Sequence, residues 1–344
     1  MANPVVTTQN RERAQAIAPR RDGNAKGRGQ TQARAQATVK GSPVARIREP
    51  IRVQIDRAVD CGDLEVLVAS LVAVARRRSE AEVESLKSYL FKCLLRKLTD
   101  HVERRRLWNW TRLSAARPES EAREMACVLL DAFWKDHRKE VERLTLNLAR
   151  DEDVDVRQYA AGTMARIIRG NFRQRFKHLQ VWSRHPDPSV RRQVIIATVG
   201  VADPEHPERA KPLLDLLEPH LADRDPYVRR NLGPFALGQG LLRAYPDATL
   251  ARFQQWIRSD DEIVRWNLAM GLATAVRLSE WEAALEVLRV LAADNRRFVW
   301  GAASAALGNL VSHRAREVAP VLRRWMSDPQ LRVSVVSALR SAQG

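Results

Sequence analysis

The sequence predicts an all-α fold, a right-handed stack of helix pairs over residues 51–344, preceded by a disordered basic arm over 1–50. Three observations predict it. From Ile51 onward apolar residues recur at three- and four-residue spacing, and no region sustains a period-two alternation. One phrase also returns along the chain. It reads "DVDVRQYAA" from Asp153, "DPSVRRQVI" from Asp187, "DPYVRRNLG" from Asp225, "DEIVRWNLA" from Asp261, "DNRRFVWGAA" from Asp294 and "DPQLRVSVV" from Asp328. Aligned on the apolar residue before the arginine (Val156, Val190, Val228, Val264, Phe298, Leu331), the steps are 34, 38, 36, 34 and 33 residues. A period in that range marks stacked two-helix units, none of which buries its apolar face alone.

The elements follow in order. Residues 1–50 carry ten Lys/Arg, three acidic residues and no aromatic. That composition cannot bury enough apolar surface to order itself. "DLEVLVASLVAVARRR" (63–78) and "EAEVESLKSYLFKCLLRKL" (80–98) read as helices, and 51–118 as degenerate helix pairs. Clear repeats begin at about 119, where "SEAREMACVLLDAFW" (120–134) opens a helix after Pro118. In each repeat the phrase starts the second helix. Its Asp accepts a backbone N–H at the N-cap, and Pro fits the first helical position because its missing N–H would have had no partner there. The apolar column, with the column four residues on (Ala160, Val194, Leu232, Leu268, Ala302, Val335), forms one buried stripe.

Fifty-eight Lys+Arg against forty-one Asp+Glu give a net charge of +17, with Arg far outnumbering Lys. A strongly basic balance points to polyanionic partners, nucleic acid first. Cys61, Cys93 and Cys127 are dispersed without metal-ligand spacing and suggest buried thiols in a reducing compartment. No apolar leader opens the chain and no stretch approaches eighteen apolar residues. The expectation is a cytoplasmic monomer, with no membrane contact, metal or cofactor.

The first arginine of the phrase (Arg157, Arg191, Arg229, Arg265, Arg332) is expected to form a ladder with Asp residues of neighbouring repeats. The next position runs Gln158, Arg192, Arg230, Trp266, Trp300, Val333, and the one after it Tyr159, Gln193, Asn231, Asn267, Gly301, Ser334. These columns flank the stripe on the second helices, so some of their side chains should face the inner wall. Guanidinium suits phosphate, amides suit phosphate or sugar, and aromatic faces suit stacking. The candidate nucleic-acid-binding residues are Arg192, Arg230, Trp266, Trp300, Asn231, Asn267, Gln193 and Tyr159. Arg104, Arg105 and Arg106 of "RRRLWNW" join them. Arg192 and Arg230 are expected outside the buried stripe, while packing alone would account for either Trp266 or Trp300 taken singly. "RGNFRQRFKHLQVW" (169–182) also interleaves cations with rings, at a spacing that suits a helix core. The seven histidines are scattered, and HExxH, P-loop, GxGxxG and GxSxG signatures are absent.

The spacing, the "DPxVR" phrase and the paired helices resemble the HEAT-repeat family, an α-solenoid architecture that by itself says nothing of function. "SEAREMACVLL" with "FWKD", "LARDEDVDVRQYAAGTMARI", "WSRHPDPSVRRQVI" and "DRDPYVRRNLGPFALGQGLLRAYPDATLARFQQW" resemble one HEAT-like branch, the DNA alkylation repair proteins and alkylpurine DNA glycosylases. That resemblance implies duplex DNA held in a basic concave groove, and base excision by a concave Asp with neighbouring Trp and Arg. The family's Trp followed by a catalytic Asp is not found. Four residues after Trp266 stands Met270, four after Trp300 stands Ser304, and Val154 occupies a place where relatives carry Trp. Asp131, three residues before Trp134, is the one carboxylate beside an aromatic residue on a helix. The catalytic residue is therefore unassigned. The leading expectation is a DNA-binding solenoid, with a scaffold for an acidic protein partner and an active alkylbase glycosylase as the two alternatives.

Overall fold

The structure, a computed structural model, describes residues 49–75 and 80–342. The predicted basic arm therefore falls outside the described residues up to 48, as do the arginines at 76–78. Seventeen α-helices follow one another among the described residues, and no strand occurs there. Helices α1 (Glu49–Cys61), α2 (Leu64–Ala75), α3 (Glu80–Lys97) and α4 (His101–Ser114) lead into the repeats. The first helices of successive pairs are α4, α6 (Trp134–Leu148), α8 (Phe172–Ser183), α10 (Ala210–Leu217), α12 (Pro246–Trp256), α14 (Trp281–Ala292) and α16 (Ala315–Trp325). The second helices are α5 (Ser120–Leu130), α7 (Val154–Arg169), α9 (Pro188–Val201), α11 (Pro226–Asn231) with the π-helical stretch Leu232–Leu242, α13 (Glu262–Leu272), α15 (Arg297–His313) and α17 (Arg332–Ser341). Each second helix packs on the next in an unbroken row. One continuous core joins all the repeats, so the fold is an α-solenoid of stacked helix pairs.

The starts of the second helices follow the predicted chemistry. The side chains of Asp153, Asp187, Asp225 and Asp261 each accept backbone N–H groups at the N-cap of their helix. Pro188 and Pro226 sit in the first turn. Val156, Val190 and Val228 are fully buried, and Val264 nearly so.

The second helix of the "DPYVRRNLG" repeat is distorted. After Asn231 it widens into π-helix through "LGPFALGQGLL". Pro234 removes one N–H from the ladder, which favours a register change over a regular helix. Close approach to α13 accompanies it. A Cβ on Gly238 would stand 2.7 Å from the Gly271 carbonyl oxygen, so only glycine admits this contact.

Candidate nucleic-acid interface

The fifth repeat corrects the alignment by one residue. Val299 and Ala303 are fully buried, whereas Phe298 is 42% exposed. The reason lies at the N-cap. Asp294 does not cap α15; Arg296 is its N-cap, and Asp294 stands two residues earlier. Trp300 therefore belongs to the first-arginine column and Gly301 to the second. Arg123, following the buried Ala122 in α5, adds a repeat at the front of the same column.

The position two residues before each cap decides where the first arginine goes. That column reads Asp151, His185, Asp223, Ser259, Asp294. Each of these side chains accepts the cap residue's N–H. Asp153, Asp187, Asp225, Asp261 and Arg296 donate to Asp151, His185, Asp223, Ser259 and Asp294 over 2.9, 3.1, 3.0, 3.2 and 2.9 Å. A carboxylate has a second oxygen left for the arginine of the preceding repeat, and the ladder forms there. Arg123 pairs with Asp151 at 2.7 Å, Arg191 with Asp223 at 2.9 Å and Arg265 with Asp294 at 2.9 Å. His185 and Ser259 offer no such oxygen. The expected ladder thus holds at alternate repeats and fails for Arg157, Arg229 and Arg332, the last of which donates to the Met326 carbonyl instead.

Arg157 and Arg229 reach past a whole repeat to an aromatic ring. Arg157 Nε donates to the Tyr227 hydroxyl over 2.7 Å, and its guanidinium lies 5.6 Å from the Tyr227 ring centre. Arg229 lies 5.5 Å from Trp266 and 5.7 Å from Phe298, whose rings stack at 5.3 Å and 9°. Tyr227 and Phe298 hold the same place in their repeats, one residue before the buried valine. Along this edge every second repeat therefore touches the next but one. Arg229 was expected in the ladder; it is a cation over two rings instead.

The predicted binding column divides by depth. Arg230 is exposed and Arg105 is exposed. Arg192 is not outside the stripe as expected. It is 4% exposed, its guanidinium lies 4.6 Å from the Tyr227 ring, and it donates to Gln193 Oε1 over 3.2 Å and Asn231 Oδ1 over 3.5 Å. Burial holds it below its ordinary pKa, with Arg157 adding repulsion and Tyr227 opposing both. Gln193, Asn231 and Asn267 are buried too, Asn231 donating to the Tyr227 carbonyl and Asn267 to that of Leu221. This amide column faces the neighbouring repeats rather than the open wall. Tyr159 packs edge-on against Phe91 at 5.9 Å, and burial raises its hydroxyl pKa. Arg104 is held by Asp136 at 2.6 Å and the Ala132 carbonyl, while Arg106 pairs with Glu103 and lies over Trp110. Trp266 and Trp300 are half-buried, and neither packs against the hydrophobic core. Trp266 lies between Arg229 of the preceding repeat and Phe298 of the following one, which is the packing between repeats that suited it singly. Sequence reasoning missed Arg157, Tyr227, Arg229 and Phe298 as a set, although the alternation of Asp with His185 and Ser259 was visible.

Among the described residues, Arg157, Arg192, Arg229 and Arg230 form no ion pair with a carboxylate. Two acids in or beside these columns pair elsewhere. Glu124, at the front of the second-arginine column, is 3% exposed and paired with Lys87 at 2.5 Å. Asp131 accepts from Arg166 Nε over 2.7 Å. The three cysteines are free, Cys127 buried as expected and Cys61 exposed. No described helix is long and apolar enough to cross a membrane.

No curated protein matches the chain. Similar solved structures include the karyopherin Kap121p bound to Nup53p, 14% identical over 90% of this chain and 39% of that one, with a TM-score of 0.40. An engineered protein is 17% identical over 86% of this chain and 89% of that one, with a TM-score of 0.33. A designed armadillo repeat protein in complex with the peptide (KR)4 is 14% identical over 67% and 98%, with a TM-score of 0.24. The chain spans about two fifths of the karyopherin's length. Residues 90–237, from α3 into the π-helical stretch, match the family model described as DNA alkylation repair enzyme, so the family resemblance read from the sequence holds over that stretch.

Proposed function

We propose that the chain binds DNA by its backbone along the edge where alternate repeats meet. One observation carries this reading: four arginines at or beside that edge, Arg157, Arg192, Arg229 and Arg230, have no carboxylate partner among the described residues. A guanidinium taken out of water without a counter-charge is costly. Arg192, at 4% exposure, is closed in by Tyr227, Gln193 and Asn231 and adds its charge from beneath, while Arg230 is open to a ligand. A phosphate backbone supplies the missing charge, and the net +17 of the chain brings it in. The match of residues 90–237 to a DNA alkylation repair family supports the same ligand. The reading stops at binding, and two acids in or beside these columns, Glu124 and Asp131, are held by Lys87 and Arg166.

The test is the salt dependence of duplex binding. Log affinity is expected to fall linearly with log salt, and Arg230→Ala to reduce the slope by about 0.9, one phosphate contact, with the melting temperature unchanged. Arg192→Ala behaves differently because the side chain is buried. It is expected to lower stability as well as affinity. A slope near zero for the unaltered protein, or one indifferent to Arg230→Ala, sinks the backbone reading.

A further inference from the structure

We propose that Trp266 and Phe298 form a stacking platform for an unpaired nucleobase, so that the ligand class of this edge is single-stranded nucleic acid. The inference rests on the nucleic-acid reading above and narrows its substrate.

Three observations carry it. The two rings are stacked on each other at 5.3 Å and 9°, yet Phe298 is 42% exposed and Trp266 only half-buried. Neither is needed for the core. The buried Val264 and Val299 fill it at this level, and Trp266 is not among the partly buried side chains packed against it. The pair thus leaves aromatic surface open to a ligand beside cations that have no carboxylate partner among the described residues. The cation is the second observation. Arg229 lies within 6 Å of both ring centres, and Arg230 is exposed on the next residue.

The third observation is the contrast with the equivalent cluster two repeats earlier. There Tyr227 has two guanidiniums upon it, Arg192 at 4.6 Å and Arg157 at 5.6 Å. One cluster has two cations to one ring; the other has two rings to one cation. The first suits a phosphate and leaves little ring face open. The second presents aromatic surface with one positive charge, the combination that takes up a base from a strand tracking a basic path. A base within a duplex is stacked on both faces and has no use for such a platform. An acidic peptide would use the cations and gain nothing from the rings.

The experiment compares two labelled strands of about 12 nucleotides, within the range one binding site spans. One is oligo-dT and the other is the same backbone with abasic sugars; a duplex is measured beside them. The unaltered protein is expected to bind oligo-dT about tenfold more tightly than the abasic strand, from stacking alone. Trp266→Ala with Phe298→Ala should erase that difference and leave the salt slope unchanged. Trp266→Phe, which keeps a ring, should retain most of it. Should the double variant fail to fold, Phe298→Leu at the more exposed ring reads the same loss. Equal binding of dT and abasic strands overturns the platform while duplex binding upholds the backbone reading. Failure of the duplex with a persisting dT preference overturns the duplex reading and supports the platform. Binding of polyglutamate but of no nucleic acid overturns both.

Discussion

Replacing Asp294 with alanine is expected to destabilise the C-terminal repeats by about 3 kcal/mol, because it leaves two guanidiniums facing one another across a gap. The Asp294 side chain is 3% exposed. It receives the Arg296 backbone N–H at 2.9 Å and the Arg296 guanidinium at 2.6 and 2.8 Å, and pairs with Arg265 at 2.9 Å. Burial works to raise its pKa, and the bonds from Arg296 with the charge of Arg265 outweigh it and hold the carboxyl below the usual range. A carboxyl depressed in the fold stabilises above its unfolded pKa and loses that contribution as the pH falls through the folded one, so this pair weakens below about pH 4. In a stack whose repeats touch mainly their neighbours, the damage should stay local. Hydrogen exchange should show lost protection over 262–342 and near-normal protection over 120–200. Uniform destabilisation, or none, would rule out the assigned role of the Asp294 ladder. Asp294→Asn keeps the acceptor for the Arg296 N–H and should cost less than the alanine.

Glu124→Gln is expected to do the opposite above neutral pH and stabilise the protein. Burial pushes the Glu124 carboxyl up to about 7, against the pull of Lys87 at 2.5 Å. An acid whose pKa is raised by folding favours the native state when protonated. Its stabilising contribution is full below its unfolded value of about 4.5 and is lost as the pH rises through about 7. At 1.36 kcal/mol per pKa unit this amounts to about 3 kcal/mol between pH 4.5 and 8. His220, pushed down by burial, gives a slope of the other sign below about pH 6.5. The quantity to measure is therefore the difference between wild type and variant in urea midpoint at pH 5 and pH 8. That difference should favour the variant at pH 8 and shrink at pH 5. A difference independent of pH would show that Glu124 does not titrate in this window.

The helix pairs were legible because their signals are local and repeated. An aspartate cap, a proline in the first turn and a valine three residues after the cap state a helix start with little help from the rest of the chain. The fifth repeat was misread for the same reason. Asp294 imitates a cap in the sequence, and only the burial of Val299 against the exposure of Phe298 shows that Arg296 holds that place. The site was less legible, since the depth of a side chain on a second helix depends on the repeats on either side. Arg192 and Arg230 are equivalent in sequence. Arg192 is closed in by Tyr227 and Asn231 of the following repeat, while Arg230 is left exposed. The contacts of Arg157 with Tyr227 span 70 residues, and no local pattern announces them.

The alternation of Asp with His185 and Ser259 gives the chain a parity. Its structural unit is a pair of repeats, one that hands its arginine to the next carboxylate and one that sends it across to a ring. Excising a single repeat from the middle would set two repeats of the same kind side by side and leave one arginine without its carboxylate or its ring. Excising two would keep every partner in phase. Natural or engineered length variants of this solenoid should accordingly differ in even steps, and a ligand lying along the edge would meet its aromatic contacts at the same doubled interval.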